Sequence, residues 1–318
     1  MGKDIPMLKL HNGVQMPALG FGTFSSENVP GQMRAAVLAA LETGRESSYK
    51  NEDEVGSALQ QWLSQNPKVK REDIFITTKV WPHLMEPDDV EWSLNSSLER
   101  LGTDYVDAYL LHWPFSVEKT EDHQVKLGDD QKYILKPSLT SDLRPTWRAM
   151  EKLYRLGKAR SIGVSNWTIP LLEKLLTYAE IPPAINQVEI HPYFPNTRLV
   201  NFCFGHGILP VAYSPLGSQG QVKENKRERV SDDPKLKAIA EQKGSTVAQV
   251  LIAWGVKRGY AVVPKSANEE RIRSNFGLLD LSDEEFQAVN SVVEGRGVTR
   301  FVNPRDMFGY DVWAGEDC

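Results

Sequence analysis

Polar side chains recur where the short apolar runs of this chain stop. The run ends carry Lys79, His112, Ser165 with Asn166, Gln187, Tyr213 with Ser214, and a stretch from Lys265 to Arg271. One such residue means little, but repetition from run to run marks a site, because the carboxyl ends of parallel strands converge on one face of an α/β fold. The last stretch is the most telling. Lys265, Ser266, Asn268 and Arg271 gather at the start of a short helix expected to continue through Asn275. Free backbone N–H groups there suit an anion, and two cations strengthen the attraction. Alone, such a cluster reads as a solvated basic turn. Beside the other run ends it points to a phosphate.

The elements that must position these groups alternate along the whole chain. Strands are expected at Ala18–Gly22, Ile74–Lys79, Val106–His112, Ser161–Ser165, Ala184–Glu189, Ile208–Tyr213 and Tyr260–Pro264. They are continuous apolar runs with little alternation, as parallel strands buried on both faces are. Between them, Gln32–Glu42, Glu52–Leu63, Val90–Leu101, Thr146–Leu156, Leu171–Tyr178, Pro234–Gln242 and Val247–Val256 place apolar residues at helical spacing. Ser231 and Ser282, each followed by acids, read as helix starts. An apolar hairpin over Leu8–Met16 turns at Asn12-Gly13 and is placed to plug the barrel floor. Strand–helix alternation means parallel strands joined by crossovers. Gly20-Phe-Gly-Thr-Phe after the first strand does not fit G-x-G-x-x-G, which disfavours an open dinucleotide-binding sheet. The expectation is one domain over 1–318, an eight-stranded parallel (β/α) TIM barrel. Phe115–Leu143 and Gly295–Cys318 are too long for ordinary connections and are expected to be functional loops.

Composition narrows the setting. The chain has 318 residues, a net charge of -5, 41% hydrophobic residues and 25% charged ones. That balance argues against disorder and against a nucleic-acid surface. No run approaches a membrane span. Two cysteines, Cys203 in a helix and Cys318 at the end, suit a reducing, cytoplasmic compartment better than a disulfide framework.

The motifs themselves resemble the aldo-keto reductases, nearest to the fungal branch of glycerol dehydrogenases and aldose reductases. They are Gly20-Phe-Gly-Thr-Phe, Asn51-Glu-Asp-Glu-Val-Gly, Thr78-Lys-Val-Trp, Leu110-Leu-His-Trp-Pro, Gly163-Val-Ser-Asn-Trp, Asn186-Gln-Val-Glu-Ile-His-Pro, Ala212-Tyr-Ser-Pro-Leu-Gly-Ser, and Val263-Pro-Lys-Ser through Arg271. They run in family order over nearly the whole chain.

The resemblance implies NADP(H) as cofactor and a small carbonyl compound as substrate, with no metal. Ser165, Asn166 and Gln187 would hold the nicotinamide carboxamide, and Tyr213 would stack on the ring. Gly22 and Thr23 join the cofactor set, and Ser214, Leu216 and Ser218 would wrap the pyrophosphate. Lys265, Ser266, Asn268, Arg271 and Asn275 would bind the adenosine end, with Lys265 and Arg271 on a 2′-phosphate. Ser274 stands where the family often has an acid. Tyr49 would protonate the carbonyl oxygen, Lys79 would lower the tyrosine's pKa, and His112 would orient the carbonyl. Taken singly, these three read as a helix-entry aromatic, a satisfied ammonium and a core histidine. Phe24, Trp81 and Trp113 would line the substrate mouth, with Trp313 closing over it.

One segment departs from the family. Its second strand normally reads Gly-Tyr-Arg-His-Ile-Asp before the tyrosine, and the aspartate pairs with the lysine. Here the chain reads Thr43-Gly-Arg-Glu-Ser-Ser-Tyr49, a handful of residues short. From Gly44 to Tyr49 an extended chain reaches roughly 17 Å, barely a barrel wall. The second strand is therefore expected to be shortened. It forms poorly, or the preceding helix unwinds a turn to supply residues, or Glu46 replaces the lost acid. The function expected is NADP(H)-dependent reduction of an aldehyde, aldose or ketone, weakened by the missing carboxylate. The alternative is an NADPH-binding barrel, catalytically impaired, acting as a sensor or partner protein.

Overall fold

The structure, a computed structural model, describes residues 4–23, 29–43, 51–217 and 228–313. The hairpin comes first. Strands β1 (Met7–Lys9) and β2 (Gln15–Pro17) pair antiparallel, with Leu8 opposite Met16. The turn needs Gly13, whose φ is +90°, a region that costs any side chain. Asn12 Nδ2 ties the turn to the barrel by donating to the Arg160 carbonyl at 3.0 Å and to Ser161 Oγ at 3.2 Å. Leu10 and Met16 then pack with Phe75, Leu110, Ile185 and Val211. The hairpin is the floor of the barrel, as its sequence predicted.

The wall is β3 (Thr77–Val80), β4 (Ala108–Leu111), β5 (Ile162–Ser165), β6 (Ile185–Glu189), β7 (Leu209–Tyr213) and β8 (Ala261–Val262). They form one six-stranded sheet in chain order, parallel throughout. Beyond β8, Leu19 bridges Val262 in parallel. Gly20 N–H donates to the Val262 carbonyl, and Gly22 N–H to that of Pro264, each at 2.9 Å. The Ala18–Gly22 run is thus the first wall segment. The second strand expected within Thr43–Tyr49 falls on residues 44–50, which lie outside the described residues.

Three boundary shifts have local causes. The third run begins its ladder at Thr77 rather than Ile74, because Asp107 Oδ2 accepts the Ile76 N–H at 2.9 Å and replaces a strand partner. The helices expected from Val90 and Thr146 start earlier, at Pro87 and Arg144. Proline fits the first turn of a helix, where its missing N–H costs nothing. The helix after Ser231 is capped by Asp233, whose Oδ1 accepts from Lys235 N at 2.9 Å. Ser231 itself lies in a 3₁₀ turn, Val230–Asp232. At Ser282 the expectation holds, and a reciprocal cap joins Ser282 and Glu285.

The helix before the short segment does not unwind. It runs Gln32–Thr43, one residue past the expected end. It packs on the helix Glu52–Gln65 on one side and on Glu269–Asn275 on the other. The helical layer is therefore continuous from Glu269–Asn275 through Gln32–Thr43 to Glu52–Gln65. Glu52–Gln65 in turn packs on Pro87–Leu101, closely enough at Gly56 that a Cβ there would lie 2.1 Å from the Arg100 carbonyl oxygen. The helix Thr197–Gly205, absent from the expected set apart from Cys203, follows an Asn196 in left-handed conformation.

Both long segments fold over the carboxyl ends of the strands. Residues 117–135 make antiparallel bridges between Val117 and Leu135, Lys119 and Val125, and Leu127 and Tyr133. Phe115 and Trp113 pack there with Phe308 and Val312 from the C-terminal segment.

Candidate active site

Lys79 projects from the end of β3 and is 6% exposed. Burial drives its ammonium pKa down to about 7. The strand that carries it is clamped from behind. Thr78 Oγ1 donates to Glu52 Oε1 at 2.6 Å, and Glu52 Oε2 takes Arg100 Nη2 at 2.6 Å and Nε at 3.0 Å. Glu52 is buried, so these donors offset the cost of its charge.

His112 follows β4 and is largely buried. Its N–H donates to the Val80 carbonyl at 3.0 Å, which sets it beside the end of β3. The Trp81 ring meets its imidazole edge-on at 4.8 Å, and Trp113 lies at 5.9 Å. These two tryptophans, expected at the substrate mouth, flank the His112 ring. Trp313 lies 6.1 Å from Trp113.

A chain of buried amides runs from His112 across the strand ends. Asn166 Nδ2 donates to the His112 carbonyl at 3.0 Å and to Ser165 Oγ at 3.2 Å. Asn166 Oδ1 accepts from the Tyr213 hydroxyl at 2.7 Å. Ser165 Oγ donates to the Gln187 carbonyl at 2.8 Å. Asn166 and Ser214 both adopt positive φ, 68° and 48°. Such conformations persist only where surrounding bonds hold them, and they cluster at ligand sites. Leu216 is half-buried beyond Ser214.

The stretch expected to bind phosphate lies after β8. Ser266 Oγ accepts the Asn268 N–H at 3.1 Å, and Asn268 Oδ1 caps the helix Glu269–Asn275 by accepting from Arg271 N at 2.9 Å. Asn268 is thus a helix cap as well as a candidate contact. Lys265 and Arg271 are exposed, and neither takes an ion pair among the described residues. Arg273 is used differently, pairing with Glu42. Asn275 is buried, and Ser274 Oγ donates back to the Arg271 carbonyl at 3.1 Å.

On the first wall segment, a Cβ at Gly22 would sit 3.0 Å from the Val263 carbonyl oxygen, so the chain packs closely against the end of β8 there. Thr23 Oγ1 is fully buried with no hydrogen-bond partner, while the Thr23 carbonyl accepts from Asn51 Nδ2 at 2.9 Å. An orphaned buried hydroxyl is costly and rare, and a ligand's polar group would satisfy it.

The structure therefore brings Lys79, Trp81, His112, Trp113, Ser165, Asn166, Gln187 and Tyr213 together at the strand ends. Lys265 to Asn275 follows from β8. Phe24, Tyr49 and Ser218 lie outside the described residues. Sequence reasoning missed Glu52 and Glu189 as supports. Their signal was a carboxylate inside each of two quoted motifs. No metal-binding group of acids, histidines and cysteines occurs among the described residues. No helix among them is long and apolar enough to cross a membrane.

A parallel α/β barrel with lysine, histidine and amide side chains at its strand ends defines an oxidoreductase-type dinucleotide site. The Aldo/keto reductase family model matches residues 18–294, and the chain belongs to that family. It is 55% identical over 313 residues to a glycerol 2-dehydrogenase (NADP(+)) of Hypocrea jecorina, covering 97% of this chain and 98% of that one. A glycerol 2-dehydrogenase (NADP(+)) of Saccharomyces cerevisiae is 38% identical, covering 94% of each chain. Among solved structures, an aldose reductase from Giardia lamblia superimposes with a TM-score of 0.85 at 35% identity, covering 93% of this chain and 98% of that one.

Proposed function

We propose that the chain, as one barrel domain over 1–318 working in the cytoplasm, reduces the carbonyl of a small aldehyde, aldose or ketone to an alcohol with NADPH. The carrying observation is the bonded set at the strand ends: Lys79 beside His112, and His112 joined through Asn166 to Ser165 and Tyr213. The family relatives named for NADP(+) support the cofactor. So do the two unpaired cations, Lys265 and Arg271, which suit a 2′-phosphate.

When bound, the reduced nicotinamide supplies the hydride that the carbonyl carbon accepts. Ser165, Asn166 and Gln187 offer the donors and acceptors to hold its carboxamide, and Tyr213 offers a flat ring beside them. Thr23 offers a buried hydroxyl along its edge, beside Gly22. Ser214, Leu216 and Ser218 hold the pyrophosphate, and Ser266, Asn268 and Asn275 take the adenosine end with the two cations. His112 orients the carbonyl oxygen, Tyr49 gives it a proton, and protonated Lys79 lowers the tyrosine's pKa. Phe24, Trp81 and Trp113 enclose the substrate and exclude water.

The reaction is weakened by the short segment at 43–49. Burial holds the Lys79 ammonium near 7, and the family's neighbouring aspartate, which would favour its charged form, is absent from the sequence. Lys79 is then only partly charged at neutral pH. The test is NADPH consumption with a standard aldehyde, run beside NADPH fluorescence quenching. Turnover with binding supports the reductase. Binding without turnover replaces it with the sensor reading.

A further inference from the structure

β6 ends in a carboxylate that the proposed chemistry does not use. Glu189 is fully buried. Its Oε1 accepts from His191 Nε2 at 2.8 Å and from the Phe301 N–H at 2.7 Å, and its Oε2 accepts from the Val302 N–H at 2.9 Å. His191 Nδ1 is buried without a partner, so the ring proton belongs on Nε2, where it has an acceptor. A buried carboxylate is tolerable only with such donors. Two of the three come from the C-terminal segment, more than a hundred residues later in the chain.

That segment has little regular structure to fix its register. Its described helix is the four-residue Arg305–Phe308. Phe308 and Val312 anchor its far end on Trp113 and Phe115, while its residues 299–300 are held close to Glu189. Thr299 N–H donates to the Tyr193 carbonyl at 2.7 Å, and the Arg300 guanidinium lies 4.3 Å from the Phe194 ring centre and 3.7 Å from that of Trp313. From Val302 a bonded path leads to the mouth. The Val302 carbonyl accepts from Trp313 Nε1 at 3.2 Å, and the Trp313 ring packs 6.1 Å from Trp113, next to His112.

We infer that Glu189 is a positioning residue for substrate selection, which holds the Trp313 side of the aromatic wall through Val302. The inference rests on the reductase reading for its substrate but on geometry for its latch. Gln at this position offers one acceptor oxygen and an N–H₂ group, so one of the two backbone N–H groups faces a donor. The segment then shifts at 301–302, and Trp313 loses its seat. Large aromatic aldehydes that reach Trp313 are affected, and the smallest aldehydes are spared.

The experiment compares wild type, Glu189→Gln, Trp313→Phe (which keeps a ring but loses the indole donor) and the double variant. The substrates are glyceraldehyde and nitrobenzaldehyde with NADPH, and amide hydrogen exchange is followed over 299–313. The expected result is a KM for nitrobenzaldehyde raised on the order of tenfold in Glu189→Gln, with kcat and the glyceraldehyde KM within about twofold. Exchange over 299–313 rises, and the double variant costs less than the sum of the single ones. Equal changes for both aldehydes, a loss in kcat alone, strict additivity or unchanged exchange overturns the inference. If Glu189→Gln does not fold, Val302→Pro removes one donor from the partly exposed loop and is held to the same outcomes. If wild type turns over neither aldehyde, the reductase reading fails, while the exchange result still decides the latch.

Discussion

Replacing Lys79 with Met tests the electrostatics of the site without reference to substrate. Burial lowers the ammonium pKa from 10.5 to about 7. The folded value lies below the unfolded one, so between them the unfolded chain binds more protons and stability rises with pH. Below about pH 7 the full cost of burying the charge is present. It is gone above about 10.5, and at about 1.36 kcal/mol for each pH unit the gap amounts to roughly 5 kcal/mol. Between about pH 7 and about pH 9 the wild type should gain about 2 kcal/mol that Lys79→Met does not. The assay is urea unfolding of both chains at the two pH values, read as the difference between them, which cancels every other titrating group. Lys79→Met is expected to be the more stable near neutrality, with its advantage shrinking as pH rises. A difference that does not change with pH refutes the reasoning, because Lys79 would then be held at its ordinary pKa.

The same shift predicts that kcat/KM for aldehyde reduction falls as pH rises through about 7, where Lys79 loses the charge that helps Tyr49; a flat profile across that range contradicts the proposed role. Arg271→Ala should weaken NADPH binding by about 10- to 100-fold, as loss of a charge-assisted phosphate contact does, with little effect on NADH, read by fluorescence titration of both. Gly56→Ala should destabilise by about 1–3 kcal/mol, since its Cβ would meet the Arg100 carbonyl oxygen at 2.1 Å, measured by the urea midpoint. Inserting the family's missing second-strand residues with their aspartate should raise both turnover and the pH at which activity declines; no change in either would show that the short segment costs nothing.

Much of this site could be read from the sequence because parallel strands buried on both faces are continuous apolar runs, and a polar residue at their end has few reasons to be there. Lys79, His112, Asn166 and Tyr213 all announced themselves in that way. The hairpin was legible from Asn12-Gly13, whose turn geometry is local. What escaped depends on partners far along the chain or on backbone groups, which carry no residue identity. Glu189 is one case, since two of its donors are main-chain N–H groups of Phe301 and Val302. Asp107 is another, taking the place of a strand partner for Ile76. Early helix starts at Pro87 and beside Pro145 were available in the sequence and were outweighed by the apolar spacing that begins later. Asp233 rather than Ser231 caps its helix because the cap must directly precede Pro234 at the first helical position.

The strand-end residues are proposed to act together on a carbonyl with NADPH. The most direct measurement is aldehyde-dependent NADPH oxidation by the intact chain, beside a His112→Ala variant and with NADPH binding measured for both. The account predicts measurable turnover in the wild type, lost by on the order of 100-fold or more in the variant, with NADPH affinity retained in both. Tight NADPH binding with no turnover above background in the wild type would contradict it.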